Sequence, residues 1–508
     1  MTTFNRRQFL IGGAALGWAA FTLDGCGSSD SSTGVSPDTV PTTVATLPQP
    51  PEIRSVNGIL NATLNHQMAS PPLGSTNILT RTYNGALVGP TLRIQPGDTM
   101  QVMLNNNFPP NPDPVEPANI NMPHQFNSVN LHTHGIFASP SGISDNVLRT
   151  IDPGTQALAE IAIPTVHPTG TFWYHPHKHG AASVQMFGGM AGALIIEGDL
   201  DAVPEVAAAK EVIMVFGEIR VDSNGAAPTS LDFNYLASLD TTFVINGVAN
   251  PTITMRPGEV QRWRIIQGLC TNFLQLTLAG HTFQIIAKDG ITWEQPQTVS
   301  VLNISPGERY DVMVQAGSAG SYVLNKGDDG NFFALVAVSG PLATVVVEGA
   351  PVTMSLAQGP LPTPALLTPI ADSEIVNKRT VTFNVTNVSG VISFLIDNQQ
   401  FDPTRVDQTL PIGTAEEWTL VNMDAGGHPF HIHVNPFMVT AINGTPLSPP
   451  VWQDTIMIPA STTDSSGNVT PGTVTMRTRF LTYTGQAVLH CHIFTHEDMG
   501  MMQLIEFV

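Results

Sequence analysis

Three stretches of this chain share one pattern of apolar and polar positions. GPTLRIQPGDTMQVMLNN starts at Gly89, NPTITMRPGEVQRWRIIQ at Asn250, and FDPTRVDQTLPIGTAEEWTLVN at Phe401. Each is an alternating run, a Pro/Gly turn and a second alternating run. Alternation with period two puts apolar side chains on one face of a strand. The turn glycines Gly97, Gly258 and Gly413 recur at near-equal spacing, the mark of an internal repeat. The pattern predicts an all-β protein of three similar Greek-key β-sandwich domains. They are expected at residues 51–200, 201–350 and 376–508, with a Pro-rich linker over 351–375.

The N-terminus has a different pattern. FNRRQFLIGGAALGWAAF carries Arg6 and Arg7, then an apolar run from Phe9 to Leu23. It resembles a twin-arginine export signal and is too short, with the wrong flanks, to span a membrane. The twin-arginine export machinery is therefore an expected partner, and a periplasmic or extracellular location is expected. Leu23-Asp24-Gly25-Cys26 resembles a lipoprotein processing site, although Asp24 is unusual there. Lipid attachment at Cys26 and simple removal of residues 1–26 are both open. Residues 27–50, rich in Ser, Thr and Pro, read as a flexible tether.

Composition fits several cores. Hydrophobic residues make up 42% of the 508 and charged residues 12%. The 44 Gly and 41 Pro suit a turn-rich β protein. A net charge of −20 argues against nucleic acid and anionic membrane surfaces as partners and favours neutral or cationic substrates. The three cysteines are Cys26, Cys270 and Cys491. Cys270, in IIQGLCTNFLQLTL, reads as a buried free thiol. The chain is read as a monomer stabilised by its cores rather than by disulfides.

The chemistry is concentrated near the C-terminus, in HCHIFTHEDMGMM at 490–502. Cys491 is flanked by His490 and His492, and His496 and Met501 come within one loop after them. Thiolate, imidazole and a weak thioether are the donors of a blue-copper electron-transfer centre. On an extended strand Cys491 faces one way and its two neighbours the other. One short peptide would then join that copper to a second metal site. His132 and His134 in LHTHG, His175 and His177 in WYHPHKHG, and His431 and His433 in HPFHIH offer more pairs of the same kind. His428 precedes the last pair. Each His-x-His pair puts two rings on one strand face, about 7 Å apart. Imidazole alone does not choose among copper, zinc, iron and nickel; the set Cys491, His428, His496 and Met501 selects copper. Of the other histidines, His66, His124 and His167 read as surface or loop residues and His281 as a strand residue of the middle domain. His179 reads as a supporting residue behind the ligands.

These four segments, in this order, resemble those of the multicopper oxidases, which include laccases, bilirubin oxidases and bacterial cuprous oxidases. HPHKHGAASVQMFGGMAGALIIEG is especially similar to bacterial members. The resemblance runs from about residue 50 to the C-terminus. It implies cupredoxin-like domains and four copper ions. By resemblance, His428, Cys491 and His496 bind a type 1 copper with Met501 axial, and His132 and His431 bind a type 2 copper. His134, His175 and His492 would hold one type 3 copper, and His177, His433 and His490 the other. HVNPF after the third motif and the absence of Trp from YTGQAVLHCHI depart from many laccases without touching a ligand.

The resemblance also implies an oxidase that passes electrons from a reductant through Cys491, His490 and His492 and reduces O2 to water. That reduction consumes protons, and by resemblance Glu497 and Asp145 deliver them. Asp424, four residues before His428, would meet the reductant. The three-metal cluster is expected between domains 1 and 3, with the ligand-free middle domain as a spacer. Phenols and aromatic amines are the expected substrates. Residues 355–420 contain no Met, unlike the Met-rich insertion of cuprous oxidases. Oxidation of Cu+, Fe2+ or Mn2+ is the alternative. Two alternatives come from other classes: a copper-free export or cell-division scaffold of the same fold, and a copper-sequestering protein without turnover. Complete ligand sets argue against the scaffold.

Overall fold

The computed structural model describes residues 45–230, 232–328 and 339–508. The twin-arginine stretch, Cys26 and most of the expected tether lie outside the described residues. The described chain is dominated by strands arranged as three pairs of sheets. The first pair has five and four strands, the second six and five, and the third six and five. Each pair encloses its own apolar core. Leu60, Val102, Phe172 and Tyr174 lie in the first, Met214, Trp263 and Val312 in the second, and Phe383, Trp418 and Phe430 in the third.

The repeated pattern has one structural meaning in all three units. Its two runs do not pair with each other; the Pro/Gly turn carries the chain from one sheet to the facing sheet. Thr91–Ile94 belongs to the five-stranded sheet of the first unit and Thr99–Asn106 to its four-stranded sheet. Thr252–Met255 and Val260–Gly268 divide in the same way, as do Val406–Leu410 and Thr414–Asn422. Gly97, Gly258 and Gly413 sit at φ of 93°, 79° and 77°, which only glycine adopts without strain. In each unit the second run then lies parallel to that unit's earlier long strand: Ile59–Ala69, Lys210–Val221 or Ile375–Val388.

A further apolar cluster belongs to no single unit. Trp173, Val184 and Phe187 of the first meet Ile213, Val215, Leu236, Ile266 and Cys270 of the second and Phe494 of the third. Burying each such side chain contributes about 1.5–3 kcal/mol, so the cluster holds the units in one arrangement. Cys270 is buried and free, as its sequence context indicated. The chain ahead of and between units also runs against the middle one. Leu47 packs into its core, and Gln49 bonds to both backbone groups of Ile213. The Leu361 N–H donates to the Glu294 carbonyl.

Some histidines differ from expectation. His66 is buried on strand Ile59–Ala69, edge-on to Tyr83. His167 is buried too, accepting from the Phe137 N–H while its other ring nitrogen meets the Pro168 carbonyl. His124 is also buried, beside the Met122 carbonyl. The surroundings misled because His66 points inward from its strand, while the loops carrying His124 and His167 pack against the first unit. His281 lies in the turn before strand Phe283–Lys288, not within a strand.

Candidate metal centre

The four histidine motifs end adjacent strands in two equivalent sheets. In the first unit His132–His134 pairs antiparallel with Gly170–His175, setting His132 opposite His175. In the third, His428–Ile432 pairs with Gly485–Cys491, setting His431 opposite His490 and Phe430 opposite Cys491. Both strand pairs belong to the five-stranded sheets, and these meet at the site. Eight imidazoles converge there, from His132, His134, His175, His177, His431, His433, His490 and His492, all buried. Rings from the two units interleave. His132 stacks on His433 at 3.8 Å and His134 on His431 at 3.8 Å. His177 Nε2 lies 3.2 Å from His490 Nε2, and His492 Nε2 lies 3.1 Å from His134 Nδ1.

On the far side of the Cys491 peptide is the second site. Cys491 Sγ is 3.4 Å from His428 Nδ1 and 3.7 Å from His496 Nδ1. His496 sits not in a loop but on a short helix, Phe494–Asp498. Met501 is buried in the same core as Cys491, whereas Met502 packs with Val147, Phe401 and Leu504 in another. Met501 lies just ahead of the final strand, Met502–Phe507, and the two neighbouring methionines enter different cores.

Carboxylates fix the rings from behind. Asp145 places Oδ2 3.0 Å from His132 Nδ1, and its Oδ1 accepts the Thr133 N–H at 2.9 Å. Burial pushes the Asp145 carboxyl up to about 7, against the pull of Thr133. Glu497 lies between two rings, 3.3 Å from His177 Nδ1 and 3.1 Å from His490 Nδ1. Those contacts are within ion-pair range but lack hydrogen-bond alignment. Burial pushes Glu497 up to about 7 as well, with His177 opposing. Asp424 touches His428 Nε2 at 3.0 Å and accepts the Val385 N–H at 3.0 Å. It is the most exposed of the three, at 14%. His179 points away from the cluster, to Asn121 at 3.1 Å and the Phe401 ring.

Models of multicopper oxidase domains match residues 65–201, 209–347 and 373–506. The chain belongs to the multicopper oxidase family. It is 25% identical over 467 residues to "Multicopper oxidase mco" of Staphylococcus haemolyticus, covering 89% of each chain. It is 25% identical to a laccase of Bacillus stratosphericus, covering 84% of this chain and 90% of that one. It is also 22% identical to the cell division protein FtsP of Edwardsiella tarda, covering 82% and 84%. Among solved structures, the multicopper oxidase of Campylobacter jejuni, described as a metallo-oxidase, superposes with a TM-score of 0.72. It is 23% identical, covering 92% of this chain and 98% of that one; this likeness bears on the fold, three cupredoxin-like domains.

Membership in the multicopper oxidases implies copper, and the residues present fit it. His132 Nε2, His175 Nε2, His431 Nε2, both ring nitrogens of His433 and His492 Nδ1 are buried without a hydrogen-bond partner. Burial holds the cluster imidazoles below their ordinary range; His177 and His490 fall to about 4. They are therefore neutral, with lone pairs available, as copper ligands must be. Burial also pushes the Cys491 thiol up, so a bound cation is what would make it a thiolate.

The motifs did not disclose one group of residues. Asp454 reaches His134 Nε2 at 3.2 Å and is held by Arg309. Its signal was a lone Asp ahead of the apolar run TIMI. Arg309 shows that the middle domain is more than a spacer.

Proposed function

We propose that this multicopper oxidase is laccase-like, coupling one-electron oxidation of phenols and aromatic amines to four-electron reduction of O2 to water. In this reading His428, Cys491 and His496, with Met501 axial, hold a type 1 copper, and His132 and His431 a type 2 copper. His134, His175 and His492 hold one type 3 copper and His177, His433 and His490 the other. Bound copper supplies the one-electron redox steps and the binding and reduction of O2. The observation that carries the reading is the tripeptide His490-Cys491-His492, whose thiol belongs to one site and whose two rings belong to the other.

The chain's own groups have separate tasks. Asp424, partly exposed and fixed by Val385, accepts the proton of a phenolic hydroxyl at the edge of His428. Glu497 and Asp145, whose carboxyls burial pushes up, stand beside His177, His490 and His132, where they pass protons to the cluster. The Trp173 ring lies 4.3 Å from His175 and helps exclude water from the cluster.

A metal-ion reductant is the second reading, favoured by one observation: Met423, 39% exposed, adjoins Asp424. A panel of phenols, aromatic amines, Cu+, Fe2+ and Mn2+, scored by O2 consumption with and without added Cu2+, separates the two. Turnover of metal ions alone would sink the laccase-like reading. A copper-loaded protein with no O2 uptake on any reductant would point to sequestration, and a protein that takes up no copper to a scaffold. Export through the twin-arginine route belongs to the same proposal. Retention of an Arg6→Lys/Arg7→Lys variant in the cytoplasm is its expected sign.

A further inference from the structure

Asp454 is the point where all three domains meet the cluster. It directly precedes strand Thr455–Ile458 of the third domain. Its Oδ1 lies 3.2 Å from Nε2 of His134, a ring of the first domain. Its backbone carbonyl lies 2.8 Å from Nδ1 of His431, a ring of the third. Arg309, fully buried on strand Arg309–Gln315 of the middle domain, donates through Nη1 at 2.7 Å and Nη2 at 2.6 Å to the two Asp454 oxygens. The same guanidinium donates through Nε to the Thr171 carbonyl of the first domain at 3.3 Å. Asp289, also of the middle domain, accepts the Arg309 N–H at 2.9 Å and the Asp454 and Thr455 N–H groups at 3.3 Å each. Space around the pair is closed: a side chain at Gly135 would collide with both Asp454 and Arg309.

We propose that Arg309 and Asp454 form a positioning clamp by which the middle domain sets the ring orientation and proton placement of His134 and His431; this rests on the copper reading of the cluster. A carboxylate that accepts from His134 Nε2 keeps the proton there and leaves the Nδ1 lone pair facing His492 Nε2 at 3.1 Å. The Asp454 carbonyl does the reverse for His431, keeping a proton on Nδ1 and leaving the unpartnered Nε2 for metal. The other anchored rings, His132, His175, His177 and His490, are held at Nδ1. His134 alone among these rings is held at Nε2. A carboxylate free to rotate could not enforce that exception. Two parallel bonds from a planar guanidinium remove the rotation. Lysine would keep the charge but lose the two-pronged hold.

Arg309→Lys and Asp454→Asn test the clamp in the full-length, copper-loaded protein. Copper per chain is measured after dialysis against graded chelator, together with the blue absorbance, the magnetic resonance signal of non-blue copper and the melting temperature. Non-blue copper should be released at about 10–100-fold lower chelator strength in both variants. Asp454→Asn, which leaves a buried charge unpaired, should lower the melting temperature, whereas the blue band should stay at the unsubstituted level in both variants. Release at the same chelator strength as the unsubstituted protein overturns the clamp. So does loss of blue and non-blue copper together at the same chelator strength, which would make the pair merely structural. If the unsubstituted protein itself holds only blue copper, the cluster reading of the proposed function fails, and the clamp with it.

Discussion

His132 of the first domain and His433 of the third stack face to face at 3.8 Å, their planes 2° apart. Each copper site proposed for the cluster draws rings from both of these domains. The cluster exists only where two domains dock, so metal binding and docking are one equilibrium. Copper should raise the melting temperature, by about 4 kcal/mol of stability at a thousandfold excess over Kd. His433→Ala should remove most of that gain while leaving the metal-free protein's melting temperature within a few degrees. Calorimetry with and without copper checks this, and an equal gain in the variant would disprove the coupling.

Cys491 is buried with His428 and His496 on its sulfur. The oxidised, copper-loaded protein should be intensely blue from thiolate-to-copper charge transfer. Cys491→Ser should bleach the band and abolish oxidation of every reductant. A blue Cys491→Ser protein would rule out this sulfur as the ligand.

Met501 shares the Cys491 core and Met502 does not. Met501→Leu should therefore raise the type 1 potential with the blue colour retained, because a weak donor to the oxidised metal is gone. Met502→Leu should leave the potential unchanged. Redox titration of the blue band distinguishes them; a shift only in Met502→Leu would reverse the assignment.

Glu497 and Asp424 stand on opposite sides of the Cys491 peptide. Glu497→Gln removes the exchangeable proton beside His177 and His490. Turnover with O2 should slow by roughly 10²-fold, the lower end for a lost acid–base group, while anaerobic reduction by substrate stays fast. Asp424→Asn should slow anaerobic reduction and spare reoxidation. Stopped-flow traces of the two half-reactions decide it, and slowing of the same half-reaction in both variants would contradict the division of roles.

Away from the candidate copper ligands, Glu211 joins Arg93 of the first domain to Arg264 of the second. Burial alone would raise its carboxyl, but the charge of Arg264 and the bond to Arg93 outweigh burial and hold it at about 2, from an ordinary 4.5. A depressed carboxyl stabilises the fold above its unfolded value and loses that contribution as pH falls from 4.5 towards 2. Glu211→Gln should cost up to about 3 kcal/mol at pH 7. The difference from the unsubstituted protein should shrink over that acid window. Urea melts at neutral pH and at two points inside the window test the sign, and a pH-independent difference would refute it.

Local signals in the sequence were strong where the physics is local. Alternation with Pro/Gly turns marked the strands and the threefold repeat, because side-chain direction on a strand depends only on residue parity. His-x-His pairs and His490-Cys491-His492 marked the two candidate metal sites for the same reason. Only the tertiary structure decided what depends on which strands become neighbours. The repeated turns prove to be crossings between facing sheets, since nothing in an alternating run specifies its pairing partner. His66 proved buried on the inner face of its strand, and His124 and His167 in loops packed against the first domain. That Met501 shares the Cys491 core while Met502 packs elsewhere depended on how the last strand, Met502–Phe507, sits against its neighbours. Arg309, Asp289 and Asp454 carry no motif. Arg309 and Asp454 are far apart in sequence, and docking of the three domains brings them together behind His134, where a buried charge must find its partner.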